Sequence, residues 1–362
     1  MNAEQIRQFF SDSTNFHGNI KLNENLSSHT TMHVGGEAKI FLEPEDSDSM
    51  IFTLNYLIEE KCGFFILGGG SNVIISDEGL PLVISTRKMN GIDADERGLT
   101  QIKVDSGSSW GSVISFCKKE NLGGFEGFTG LSGTVGGALY MNATCFGLSA
   151  CDNLISVRYF DLTDGKIHEY KKVDSDWGYK KSPFQNEIKE FDADEHGLTQ
   201  MKNGDFKGLA PLGEGAGGNG EAIGAEGKTF PLSLPAAHCS LLTAKIILSA
   251  KFSVTTGFDS QKSEQCMASR KEKGHFRAPS SGSAFKNDAA HGIIAGKVID
   301  ECGLKGFSVG GAQIAPWHGN FIINPEQKAT AADIKNLSDQ VKRIVYEKKG
   351  IILENEILFV QK

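Results

Sequence analysis

Two clusters of glycine constrain this chain more than any other feature: Gly68-Gly69-Gly70-Ser71-Asn72, and Gly130-Leu131-Ser132-Gly133-Thr134-Val135-Gly136-Gly137-Ala138. Glycine lacks a Cβ, so it admits positive φ and lets another backbone or a ligand come close. The first cluster sits between two apolar runs, FFIL and VIIS, and reads as a buried strand, a glycine loop and a second strand. Successive backbone N–H groups in such a loop form a nest for an anion, and Ser71 and Asn72 add side-chain donors. Neither cluster has the G-x-G-x-x-G or G-x-x-x-x-G-K-[ST] spacing, so the usual dinucleotide and P-loop readings fail. Each cluster alone also suits a tight turn or close backbone packing. Together, in neighbouring units, they can embrace one extended dinucleotide. The 43 glycines have no G-X-Y period, which excludes collagen.

The surrounding pattern indicates an α+β protein. HTTMHVGGEAKIFLEP within 22–44 reads as strand, glycine turn and strand. Over 47–62, Ile51, Leu54, Leu57 and Ile58 predict one helical face, capped by Asp46 or Ser47 and ended by Gly63. PLVIS closes this unit. From about 87 to 253 short strands dominate (QIKVDSG, LISVRYFDL, KIILSAKFSV), with one helix from Ser109 that puts Trp110, Val113, Ile114 and Cys117 on one side. Within 186–238, seven glycines in fifteen residues (213–227) read as a flexible insertion. Inside it FDADEHGLTQMK (191–202) repeats IDADERGLTQIK (92–103) at nine of twelve positions, a local duplication rather than a solenoid. Towards the end, Ile294, Val298 and Cys302 share a face that stops at Gly303. A longer helix starts at Thr330 with a T-x-x-D capping box to Asp333. Its stripe is Ile334, Leu337, Val341, Ile344 and Val345, and Gly350 ends it. IILENEILFV then reads as a mostly buried strand carrying two glutamates, expensive unless paired or functional.

A net charge of −8 leaves no basic face for a nucleic acid, while a local cluster of cations can still hold a small anion. No apolar stretch is long enough for a membrane span and the N-terminus lacks a signal-peptide pattern. The seven cysteines are scattered and form no CxxC, and the nine histidines form no HExxH. The expectation is a cytoplasmic protein with reduced thiols and no structural metal.

Other polar clusters stand at turns: Tyr179-Lys180-Lys181-Ser182-Pro183-Phe184, Gly282-Ser283-Ala284-Phe285-Lys286-Asn287, and Glu354-Asn355-Glu356. Each alone also fits a solvated loop, a turn or a salt-bridged edge. With no GxSxG elbow and no assignable Ser–His–Asp set, acyl transfer is disfavoured. Their order is more specific. GGGSN, GLSGTVGGALYMN, GYKKSPF, GSAFKN, GLKGFSVGGAQIAPWHGNFIIN and LENE, in succession, resemble the UDP-N-acetylenolpyruvoylglucosamine reductases of peptidoglycan precursor synthesis. The resemblance covers about 24–186 and 240–360 and leaves the insertion out.

It implies a two-lobed FAD-binding fold of the vanillyl-alcohol oxidase/PCMH type plus a C-terminal α/β substrate-binding domain. The first lobe would span 1–86, with a strand from 351–362 returning to it. The second would span 87–253 and contain the insertion 187–238; the substrate-binding domain would span 254–356. It also implies FAD as cofactor, NADPH as electron donor and a nucleotide sugar as substrate, in a monomeric cytoplasmic oxidoreductase. Ser283 would be the general acid, with Glu356 and Lys180 beside the developing charge. Gly68, Gly69, Gly70, Ser71, Asn72, Gly130, Gly133, Thr134, Gly136, Gly137 and Asn142 would hold the cofactor. Tyr179, Lys286, Asn287, Lys305 and Gln313 would hold the substrate. No metal is implied. The family's usual arginine is here Lys180, which cannot form a bidentate fork, and its NAGAYG is Asn142-Ala143-Thr144-Cys145-Phe146-Gly147. Two other readings remain: an FAD-dependent oxidase on the same fold, and a flavin- or nucleotide-sugar-binding protein without turnover.

Overall fold

The computed structural model describes residues 3–94, 100–185 and 244–361. The glycine-rich insertion and its copy of the repeat lie outside the described residues. In the first copy, strands Ile92–Ala94 and Gln101–Asp105 pair antiparallel.

The first lobe is a four-stranded sheet in the order Gly18–Asn25, Glu37–Pro44, Leu80–Ser85, Phe65–Leu67. Its first pair is antiparallel and the others are parallel. HTTMHVGG is not the expected strand: a short 3-10 turn, Leu26–His29, and irregular chain fill it, because Thr30 and Val34 bond to each other rather than to a ladder. Helix Ser47–Glu59 is capped by Asp46, whose carboxylate accepts from the Ser49 N–H. Ser49, Met50, Thr53, Leu54, Tyr56 and Leu57 are its buried residues, Ile58 is exposed, and the left-handed residue after it is Lys61 rather than Gly63.

The second lobe is a five-stranded antiparallel sheet in the order Lys166–Lys171, Leu154–Asp161, Lys245–Ser253, Gln101–Asp105, Ile92–Ala94. Helix Trp110–Lys119 starts where expected, with Ser109 as its cap, and packs on it with Trp110, Val113 and Cys117 buried and Ile114 half-buried. The lobes are fused through one core, in which Phe160, Ile246 and Leu248 of the second meet Ile40, Leu54 and Ile84 of the first.

The third element is a sheet in the order Ser280–Ser283, Phe321–Ile323, Ala312–Ile314, Ser308–Val309, covered by helices Ala295–Glu301 and Ala331–Lys349. Val298 and Cys302 are buried, but Ile294 is exposed at the helix N-cap. The long helix buries Ile334, Leu337, Val341 and Val345 against Met32, Val34 and Ile74 of the first lobe. The expected 351–360 strand is shorter. Only Leu358–Val360 forms a ladder, parallel to Val73–Ile75 of the first lobe. Residues 351–357 run as irregular chain with one bridge, Asn355 to Phe285, because Glu354 and Glu356 turn towards lysines on either side.

The capping box of the long helix is complete: the Thr330 hydroxyl accepts from the Asp333 N–H and the Asp333 carboxylate accepts from the Thr330 N–H. Thr330→Ala should cost about 1 kcal/mol in urea unfolding. The Thr330 N–H, and also that of Gly311, hold the Asp333 carboxyl below its ordinary value. A depressed folded-state pKa gives stability that is present at neutral pH and lost as pH falls through it. The stability gap between the wild type and Asp333→Ala should therefore close below about pH 4; a gap that widens in acid would contradict this.

Candidate active site

The two glycine clusters come together in space. A Cβ on Gly69 would sit 2.5 Å from the Gly133 Cα, and one on Gly133 would sit 2.6 Å from the Ser71 Oγ. Gly69 has no room for a side chain against that backbone, and Gly133 has a φ of +104° that disfavours one. Gly70 is left-handed (φ +65°) and its carbonyl accepts from the Thr31 N–H at 3.0 Å, which ties the first loop down. The second loop is anchored from behind: Gly136 N–H donates to Ser106 O at 2.8 Å and Val135 N–H to Ser108 O at 2.9 Å. Thr134 caps the short helix Val135–Tyr140. The loops face a cavity of about 640 Å³ whose lining includes Gly68, Gly69, Gly70, Ser71, Asn72, Gly133, Thr134, Gly136 and Gly137.

The C-terminal domain supplies another wall. Ser283, on a strand that bulges between Ser280 and Ser283, lines the same cavity together with Glu356, Lys180, Tyr179 and Asn287. The Glu356 N–H donates to Ala284 O at 2.8 Å, which sets Glu356 beside the segment carrying Ser283. Asn320 fixes that segment: its carbonyl accepts from Ala284 N–H, its Oδ1 from Phe285 N–H, and its Nδ2 donates to Phe285 O. Lys180 Nζ lies 2.6 Å from Glu356 Oε1, and both side chains are only 12% and 13% exposed. Asn72 spends its amide donor on Glu356 O at 3.0 Å, and its own carbonyl accepts from Leu358 N–H. The Tyr179 hydroxyl accepts from Asn287 N–H at 3.4 Å.

Five expected site residues stand outside the lining. Lys286 pairs with Glu354 and Lys305 with Asp300, and the Gln313 amide donates to Gly306 O and Ser308 Oγ. Asn142 is buried and donates to Gly178 O at 2.8 Å, so it acts on the turn that presents Tyr179 and Lys180. Gly130 lies where a Cβ would press on Arg270, Met267 and Phe276.

Sequence reasoning passed over Arg270, Lys273, His275, Ser106 and Ser281, all in the lining. Arg270 is buried on helix Ser260–Glu272 and donates to Cys145 Sγ. Burial first, then the charges of Arg270, His318 and Lys273, push His275 down to about 4, so its ring is neutral at pH 7. Lys180, Lys245, Arg270 and Lys273 face one acid, Glu356, in the lining. A chain of net charge −8 thus keeps a locally basic cavity, as an anionic ligand needs.

Three buried polar atoms of this lining have no partner among the described residues: Ser106 Oγ, Arg270 Nε and Ser281 Oγ. Buried polar groups are normally bonded, so these point to a ligand. With two touching loops of bare backbone, they suit an extended dinucleotide with a diphosphate. Residues 38–171 match the family model described as an FAD binding domain, and the chain is a flavoprotein with the two-lobed FAD-binding fold and an added C-terminal domain. Residues 274–360 match the model described as the C-terminal domain of UDP-N-acetylenolpyruvoylglucosamine reductase. The reductases of that name from Treponema denticola and Borreliella burgdorferi are each 34% identical, covering 94% and 93% of this chain and the same shares of their own. The crystal structure of the Thermus caldophilus reductase superposes with a TM-score of 0.64 at 25% identity, over 95% of this chain and 99% of that one. The chain belongs to the UDP-N-acetylenolpyruvoylglucosamine reductase family.

Gly69→Ala should force the loops apart. About 1.4 kcal/mol of overpacking would lower FAD affinity roughly tenfold, read as the flavin-to-protein absorbance ratio after purification. Gly111→Ala, whose Cβ would meet only Ser109 Oγ at 3.6 Å, should keep its flavin. Equal flavin content in both variants would refute the role given to the loop contact.

Proposed function

We propose that this chain reduces the enolpyruvyl group of UDP-N-acetylglucosamine enolpyruvate to give UDP-N-acetylmuramate, with NADPH as electron donor, for peptidoglycan precursor synthesis. One observation carries the reading: Ser283 and the Lys180–Glu356 pair line the same cavity as the two glycine loops. Bound FAD supplies the hydride chemistry. The residues of the chain handle the proton and the charge.

Hydride addition at the terminal vinyl carbon leaves an enolate conjugated to the substrate carboxylate. That enolate is basic enough to take a proton from a neutral hydroxyl. Ser283 Oγ is the donor: its O–H bond breaks, the new C–H bond forms at the α carbon, and solvent returns a proton to the oxygen. The Lys180 ammonium stabilises negative charge on the carboxylate as it builds. Glu356, at 2.6 Å, holds that ammonium in place. A lysine is a point charge with three rotatable donors rather than a planar fork, so its direction is set by this partner. Buried Asn142, bonded to Gly178 O, sets the turn that carries Lys180, whose φ is +55°.

Tyr179 and Asn287 are left to meet the nucleotide end of the substrate, at the rim where Tyr179 is exposed. Lys286, Lys305 and Gln313 would join them only by leaving their present partners. A cytoplasmic location fits an NADPH-linked step and the free thiols among the described residues. No helix among those residues is long and apolar enough to cross a membrane.

Ser283→Ala should leave flavin reduction by NADPH at the wild-type rate and slow substrate turnover about 10²- to 10⁴-fold. Stopped-flow flavin absorbance separates the half-reactions. Equal loss in both, or wild-type turnover, would remove Ser283 as proton donor. Wild-type protein that does not oxidise NADPH in the presence of the enolpyruvyl substrate would overturn the reading itself.

A further inference from the structure

Ser106 follows strand Gln101–Asp105, at the start of a tight turn. Its backbone is fully engaged: its N–H donates to Leu248 O at 2.9 Å and its carbonyl accepts from Gly136 N–H at 2.8 Å. The residue is 1% exposed. Its Cβ is so close behind the second glycine loop that a Cβ on Gly136 would lie 2.9 Å away. The hydroxyl nevertheless has no partner among the described residues, and Ser106 belongs to the cavity lining.

Neighbouring buried hydroxyls behave differently. Ser108 Oγ donates to Gly91 O, Ser182 Oγ donates to Tyr140 O, and the Thr129 and Ser263 hydroxyls bond to each other. These hydroxyls find protein partners, whereas in the same lobe Ser106 Oγ shares its lack of one among the described residues with Trp110 Nε1 and Asn142 Oδ1, which lie outside the lining. An orphaned hydroxyl costs its full desolvation until a partner arrives. Of the groups without a partner in this lobe, Ser106 is set apart by its place in the cavity lining, where a ligand can supply one. An apolar residue of similar size would remove the cost, so the hydroxyl earns its place only when the cavity is filled.

We propose that Ser106 is a cofactor ligand, its hydroxyl donating to an oxygen or ring nitrogen of bound FAD. The inference rests on the FAD assignment of this cavity. Ser106 is held between the second glycine loop and strand Lys245–Ser253, both in the lobe that shapes the cofactor cavity, and the contacts that hold its backbone come from that lobe rather than from the substrate-closing domain. A donor fixed at both backbone ends needs no reorganisation to meet the ligand, so its contribution appears in affinity rather than in ordering.

The test compares apoprotein and FAD-loaded protein for the wild type, Ser106→Ala and Ser106→Cys. Two quantities are read: the FAD dissociation constant, from quenching of flavin fluorescence, and the thermal midpoint of each apoprotein. Ser106→Ala should bind FAD about three- to tenfold more weakly. Its apoprotein should melt at or above the wild-type temperature, because the orphaned group is gone. Ser106→Cys keeps the size with a weaker donor and should fall between the two in affinity. A hydroxyl with only a structural role would give the reverse: a less stable apoprotein and unchanged FAD affinity, and that result overturns the proposal. Wild-type affinity in the cysteine variant would assign the effect to volume and also overturns it. Wild-type apoprotein that takes up no FAD overturns the cofactor assignment, and this proposal falls with it.

Discussion

The contact between Gly69 and Gly133 is the constraint on which the rest of the site depends. Two main chains from different lobes meet where a Cβ on Gly69 would lie 2.5 Å from Gly133 Cα, and Gly133 itself has a φ of +104° that disfavours a side chain. Ordering glycine is costly in backbone entropy, so the contact persists only because both loops are anchored elsewhere. The first is held by Thr31 N–H on Gly70 O and the second by Ser106 O and Ser108 O. The lobes are fused behind them by a shared core. With the lobes fixed, the bare backbone of both loops faces one space. The cavity is thus a consequence of lobe packing rather than of either loop alone.

Ser283, Lys180 and Glu356 are brought to this space by a relay of polar contacts rather than by a common sheet. Asn72, at the end of the first glycine loop, binds Glu356 O through its side chain and Leu358 N–H through its carbonyl. Glu356 N–H binds Ala284 O, and Asn320 binds Ala284 and Phe285. One loop residue thereby connects the cofactor-side wall to the segment that carries Ser283. Met32, Val34 and Ile74 in the core of the C-terminal domain support the same junction with apolar contact. The irregular path of 351–357 follows from this arrangement: a regular strand could not direct Glu356 to Lys180 while its N–H serves Ala284.

Much of the fold was legible wherever a local rule acts alone. Asp46, Ser109 and Thr330 cap the helices that their spacing predicts, and Gly350 ends the last one at φ 67°. The errors occur where tertiary contact outweighs local pattern. Ile58 and Ile294 have the right spacing but face solvent: Ile58 stands on the outer side of its helix beside buried Leu57, and Ile294 is the N-cap, outside its helix. At the site, glycine clusters and motif order pointed to residues of which most, fourteen of nineteen, do stand in the cavity lining. The spacing could not show that Lys286 and Lys305 would be taken up by Glu354 and Asp300. Nor could it reveal Arg270, Ser106 or Ser281. They carry no motif, and their signal is an unmet hydrogen bond that exists only after folding.

The placement of charge explains how an acidic chain can act on a diphosphate. Most lysines of the described surface stand near carboxylates that spend their charge locally, as in Lys88–Glu45 and Lys335–Asp339. Such exposed pairs contribute little to stability and are screened by salt. Within the cavity the balance reverses. Among the described residues Arg270 makes no ion pair with a carboxylate and instead donates to a sulfur, and the one acid of the lining is committed to Lys180. A buried cation without its own carboxylate is costly in the empty protein. The same cost becomes affinity when an anion fills the cavity, because the desolvation has been met during folding. Electrostatic preorganisation of this kind needs few charges, provided that they are fixed and sheltered from water. The net charge of −8 is that of the whole chain, whereas the described lining holds four cations and one acid.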